Sequence, residues 1–192
     1  MRRANVKMIR CLIGVGAAVV LIAGVVHAAG EKGKATGKGQ EKKAVAVIAS
    51  KSDSHLTGKA TFREANGKVT LKIEIAGAEP GTHAVHLHEN GDCSAPDGSS
   101  AGGHWNPTHE DHGKWGTAPF HRADIGNIEV GADGKGTRTL TTDLWTIGGA
   151  PESDVIGKSI IVHAKADDFT TQPTGNAGGR IGCGVVELAR KK

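Results

Sequence analysis

The sequence has no tyrosine, and aromatic residues make up only 3% of its 192 positions. Set against 29 glycines, this scarcity of helix-favouring bulk excludes a helical bundle. No G-X-Y period accompanies the glycine, which excludes a collagen-like chain, and the spread of Val, Ile and Leu excludes wholesale disorder. A membrane-spanning helix needs roughly 20 apolar residues. The longest apolar run, Leu12 to Val26, stops at 15 and is interrupted by Gly14, Gly16 and Gly24. Excess charge is lacking too, once position is considered. Arg2, Arg3, Lys7 and Arg10 are four of the 24 basic residues; without them 20 basic face 20 acidic residues, and the case for nucleic acid as a partner disappears. What remains is a single, loop-rich β domain.

The early charges have their own explanation. They precede the apolar run, and Val26-His27-Ala28 then places small residues where signal peptidase requires them. Residues 1–28 therefore read as an export signal cleaved after Ala28, the alternative being an uncleaved anchor helix, for which the run is short. The residues after Arg2-Arg3 fit a twin-arginine signal poorly, and Cys11 precedes the apolar run, so it is no lipid-attachment cysteine. General secretion to the periplasm or outside the cell follows, with no stable membrane insertion of the mature chain. Residues 29–43 continue as a tether, because Gly30 to Lys43 holds one alanine, no larger apolar residue and five lysines against two glutamates. Such a segment cannot bury anything; it reads as a solvated spacer, the alternative being contact with anionic lipid or cell wall. Removing its +3 leaves residues 44–192 at −3.

Along residues 44–192 the apolar period is two, the mark of strands with one buried face. Ala44 to Ala49 opens the pattern. Val69, Leu71, Ile73 and Ile75 alternate with Lys68, Thr70, Lys72 and Glu74, and the preceding Asn66-Gly67 is a hairpin turn signal. Further strands are predicted at Ala84 to His88, Ile128 to Val130, Thr137 to Thr141, Ser159 to His163 and Val185 to Leu188, with a tight turn at Ala132-Asp133-Gly134. Two long segments, roughly 89–127 and 164–184, are rich in Gly, Pro, Asp and His. Loops of that length in a compact domain are functional or disordered, and their histidines favour function.

Ten histidines are present, most between Thr82 and Asp124. His86 and His88 are one residue apart on a predicted strand, so both rings leave one face while Val85 and Leu87 take the other. His163 ends another apolar strand and can bring in a third ring. His104, His112, His121 and Asp124 follow at spacings of 8, 9 and 3 through the long loop. Nitrogen ligation held by a rigid sheet suits redox-cycling copper, whereas three His and one Asp on a loop suit tetrahedral zinc. If one imidazole is shared, copper has four nitrogens and zinc three nitrogens and an oxygen. His104 is the natural bridge. His55, His83 and His109 read as ordinary surface or core histidines, Asp168 as a turn residue, and Trp105, Trp115 and Trp145 as packing.

Several strings resemble, in order, the motifs of the copper/zinc superoxide dismutases, over about Ala44 to Leu188. They are His86-Leu87-His88-Glu89-Asn90-Gly91-Asp92, Gly103-His104-Trp105-Asn106-Pro107, His121-Arg122-Ala123-Asp124, Val162-His163-Ala164-Lys165-Ala166-Asp167-Asp168, and Gly175 to Gly184 around Arg180. One such string is weak evidence; five in order are strong. The resemblance implies an all-β, eight-stranded flattened Greek-key barrel, an immunoglobulin-like sandwich with two long functional loops. It makes His86, His88, His104 and His163 copper ligands and His104, His112, His121 and Asp124 zinc ligands. Its implied activity converts superoxide to oxygen and hydrogen peroxide by alternate reduction and reoxidation of copper, with His104 and Arg180 catalytic.

The resemblance also assigns Asp167 to hydrogen bonding a copper His and a zinc His, and Cys93 with Cys183 to a disulfide, which export permits. Cys93 lies 11 residues before His104, a placement that resembles the bacterial branch. Phe169 to Pro173 is uncharged, so anion attraction falls to local focusing by the metals, Arg180 and either Lys165 or Arg122. Two rival functions stay open: an exported copper/zinc-binding, buffering protein without turnover, and a relative that keeps only zinc. A homodimer is compatible with the sequence.

Overall fold

The computed structural model describes residues 41–190. The predicted signal and all of the tether before Glu41 lie outside the described residues. Among the described residues the elements are β1 (Lys42–Ser50), β2 (Thr57–Ala65), β3 (Lys68–Ala76), β4 (Gly81–His88), a 3-10 turn at Ser99–Ala101, β5 (Gly126–Val130), β6 (Gly136–Thr142), β7 (Ser159–His163), β8 (Arg180–Val185) and β9 (Glu187–Leu188). The first strand starts at Lys42, ahead of the apolar run, with Lys42 opposite Glu64 and Lys43 opposite Arg63.

The strand order is β2-β3-β6-β5-β4-β7-β8-β1, and β1 pairs back onto β2. Eight antiparallel strands thus close a barrel, with β9 as a short addition on β1. Placing β6 beside β3 and β4 between β5 and β7 gives Greek-key connections, as the resemblance implied. Inward residues of β1 (Ala44, Ala46, Ile48) and β3 (Val69, Leu71, Ile73, Ile75) fill the core with Phe62, Ile160, Val162 and Trp145. Asn66 and Gly67, at φ 52° and 73°, make the two left-handed residues of the hairpin turn between β2 and β3.

Two strands differ from the sequence reading. β2 was not predicted, because Thr57, Gly58, Lys59, Arg63 and Glu64 dilute the inward pair Ala60 and Phe62. The last strand, expected at Val185 to Leu188, runs instead from Arg180 to Val185, with only Glu187–Leu188 continuing as β9. Glycine hides it. A Cβ at Gly182 would stand 2.6 Å from Leu56 Cδ2, and one at Gly184 2.6 Å from the Val47 carbonyl oxygen. Close packing here demands glycine, and glycine erases the alternation.

Candidate metal centre

β4 carries Val85 and Leu87 into the core, so His86 and His88, at 0% and 1% exposure, leave the barrel on its other side. β7 lies alongside, with His86 opposite Ile161. At its end the register shifts between Val162 and His163, an irregularity of the kind that re-aims a side chain. The long loop then folds back so that His104 forms a bridge with His88, fixed by Trp105 N donating to the Leu87 carbonyl at 3.0 Å and Glu89 N to that of Gly103 at 3.0 Å.

The rings contributed by β4 and β7 each have one nitrogen engaged. His86 Nε2 is 2.8 Å from Asp167 Oδ2, His88 Nδ1 donates to the Gly102 carbonyl at 3.0 Å, and His163 Nδ1 to that of Gly178 at 3.3 Å. Their opposite atoms, His86 Nδ1, His88 Nε2 and His163 Nε2, are buried without a partner, as is His104 Nε2. All four residues offer ligand atoms within 4.8 Å of one another. A buried polar atom left unpaired costs about 1–3 kcal/mol. Four of them on one spot, with tautomers set by the opposite nitrogens, could hold a cation.

A second set begins at the other edge of His104. Its Nδ1 lies 3.2 Å from Asp124 Oδ1 and 3.3 Å from His121 Nδ1. His112 Nδ1 and His121 Nδ1 stand 3.0 and 3.3 Å from the same Asp124 oxygen. Asp124 Oδ2 is occupied separately, accepting from Gly113 N at 3.0 Å and His121 N at 2.7 Å. Three nitrogens and one oxygen thus converge, the donor set that suits tetrahedral zinc, while the all-nitrogen set suits copper.

Asp167 ties the two sets together. Its Oδ2 serves His86, and its Oδ1 lies 2.9 Å from His112 Nε2. A Cβ on Gly175 would fall 1.8 Å from that Oδ1, so only glycine leaves room for the carboxylate. Electrostatics follow burial and partners. Burial, then neighbouring imidazoles, push His88 down to about 2 and His163 to about 3. His104 falls to about 4, its burial outweighing Asp124. For His112 burial loses to Asp124 and Asp167, which hold it up to about 9. Burial would raise the carboxyl of Asp124, but hydrogen bonds from His104, His112 and His121 hold it far below the usual range.

The comparisons with known proteins agree with this geometry. Residues 56–186 match the family described as copper/zinc superoxide dismutase. The chain belongs to the copper/zinc superoxide dismutase family. It is 41% identical over 140 residues to a Cu-Zn superoxide dismutase of Caulobacter vibrioides, covering 70% of this chain and 80% of that protein. With a Cu-Zn superoxide dismutase of Deinococcus radiodurans the identity is 38% over 143 residues, covering 69% and 78%. A crystal structure of the clock protein EA4 superposes with a TM-score of 0.68 at 35% identity, over 77% of this chain and 94% of that one.

Around this superoxide dismutase site, the other predicted residues take distinct places. Arg180, opposite His163, donates from its two terminal nitrogens to the Gly98 and Gly102 carbonyls, each at 2.7 Å. The Gly102 oxygen therefore accepts from both His88 and Arg180. Cys93 and Cys183 form a disulfide, joining the loop before His104 to β8 with Cα atoms 5.8 Å apart. Asp168 caps Thr170 and Thr171 as a turn residue. Arg122 donates from one terminal nitrogen to the Leu144 and Glu152 carbonyls. His55 and His109 are exposed. His83 is buried, its Nδ1 2.9 Å from the His163 carbonyl and its Nε2 2.9 Å from that of Glu79, so it supports the backbone of a candidate ligand residue.

Sequence reasoning missed two supports. Gln172 binds His112 reciprocally, accepting from its N–H at 2.9 Å and donating to its carbonyl at 2.9 Å. Asn127 does the same for Asp167, accepting from its N–H at 2.8 Å and donating to its carbonyl at 3.0 Å. Side-chain amides gripping remote backbone leave no periodic signal.

Proposed function

We propose that this chain dismutates superoxide, converting two superoxide anions and two protons to one oxygen and one hydrogen peroxide, with copper held by His86, His88, His104 and His163 and zinc by His104, His112, His121 and Asp124. The observation that carries this reading is His104, whose Nε2 points into the all-nitrogen set while Nδ1 faces Asp124. Copper at the first set supplies a one-electron redox change, and zinc at the second a fixed positive charge.

The protein's own groups do the rest. Asp167 holds His86 and His112 by Nε2, which leaves their Nδ1 atoms free to ligate. His104 Nε2 is the atom that holds a proton and passes it to the reduced oxygen species. Arg180, anchored by two carbonyls, has further N–H groups to receive the substrate anion. The sheet and the disulfide fix these groups before substrate arrives, so orientation costs nothing at the moment of reaction.

Export fits this chemistry, because a disulfide persists in an oxidising compartment. Among the described residues no helix is long and apolar enough to cross a membrane. In this reading residues 1–28 are removed after Ala28, the residues from Ala29 up to the start of β1 serve as a spacer, Lys42 and Lys43 of the expected tether belonging to that strand instead, and the mature chain works in the periplasm or outside the cell. The test is metal analysis of the purified mature protein with electron paramagnetic resonance. One copper and one zinc per chain, with a copper signal that superoxide bleaches and then restores, supports the enzyme. A copper signal inert to superoxide points to storage.

A further inference from the structure

The seam between β5 and β6 pairs only at Val130 and Gly136. Beyond it the two strands part, while β6 stays fully laddered to β3. Carbonyls on the β5 side of this gap need donors from elsewhere. Arg138, on the core-facing side of β6 and half-buried, supplies them. It donates from one terminal nitrogen to the Asn127 carbonyl at 2.9 Å and from the other to the Ile125 carbonyl at 2.5 Å. Its Nε is buried without a partner, so the side chain is held by these two bonds alone. Gly126, between the two acceptors, has φ 94°, and a Cβ there would stand 3.2 Å from the Arg138 terminal nitrogen. The backbone here is shaped around the guanidinium.

The segment so gripped has chemistry at both ends. Asp124, immediately before Ile125, is the carboxylate of the second ligand set. Asn127 grips the backbone of Asp167, whose carboxylate orients His86 and His112. We propose that Arg138 is a positioning residue for both metal sites, fastening Asp124–Asn127 so that Asp124 and, through Asn127, Asp167 keep their aim. The inference rests on the ligand assignment made above. A planar fork reaching two carbonyls at once is something lysine cannot reproduce.

Cobalt(II) in the zinc site tests this, since its visible absorption reports tetrahedral geometry independently of activity. Arg138→Met is expected to alter the cobalt spectrum and to weaken zinc about tenfold in chelator competition, the usual scale for an outer support of a metal ligand. Arg138→Lys, which retains one bond and guards against a variant that fails to fold, is expected to fall between Met and wild type. Leu140→Ala, on the same face of β6, serves as control and lowers thermal stability with an unchanged cobalt spectrum. If both Arg138 variants match Leu140→Ala in spectrum and zinc affinity, Arg138 is merely structural and the inference is overturned. A wild-type chain that takes up no tetrahedral cobalt overturns the ligand assignment itself, and the inference with it.

Discussion

Asp167 links the two candidate ligand groups from a loop position. One carboxylate serves a ring in each ligand set, and its own backbone is gripped by Asn127. Asp167→Asn keeps the shape but replaces an acceptor oxygen by a donor, facing two nitrogens that both need an acceptor. Zinc affinity is expected to fall roughly 10- to 100-fold, measured by chelator competition. Arg180→Leu leaves every ligand in place and removes the anion's partner. Its second-order rate constant with superoxide is expected to drop on the order of tenfold, since a hydrogen bond to a charged group contributes about 1.5–3 kcal/mol, with the copper resonance unchanged in pulse radiolysis samples. The two candidate ligand groups were legible in the sequence because a spacing of two on a strand and a run of loop histidines are local patterns. Gln172, Asn127 and Arg138 were not, because their meaning lies in backbone 11 to 60 positions away.

At the scale of elements, strands with one buried face announced themselves. Val69 to Ile75 alternates cleanly and forms β3 over its full predicted length. β8 did not, and its glycines explain both the omission and its role. At Gly184 a Cβ would stand 2.6 Å from the Val47 carbonyl oxygen and 3.0 Å from its carbon, backbone that cannot give way as a flexible side chain can. Gly184→Ala is expected to cost about 1–3 kcal/mol, read as a lowered denaturant midpoint with unchanged slope. Position in chain order would not reveal this, since β1 and β8 lie at opposite ends of the domain and meet only when the barrel closes.

For the whole molecule, the histidine cluster makes stability depend on pH when metal is absent. His88, His104 and His163 fall from 6.5 to about 2, about 4 and about 3. Between those values and 6.5 the unfolded chain binds more protons, so their contribution is complete above pH 6.5 and is lost progressively as pH falls through about 4 for His104, about 3 for His163 and about 2 for His88. His112, raised to about 9, acts oppositely: its contribution is complete below pH 6.5 and is lost as pH rises through 9. The urea midpoint of metal-free protein is therefore expected to pass through a maximum between these limits. Loading both metals, which bind only the folded ligand set, raises the midpoint at neutral pH.

The ligands also divide by provenance. Three of the copper-type rings sit on β4 and β7, strands paired on both sides within the wall, whereas the remaining donors arrive on a single excursion between β4 and β5. A newly made chain can thus finish its barrel from hydrocarbon packing alone and leave the rim for later. Ion delivery then becomes the last act of maturation, carried out on a scaffold already standing.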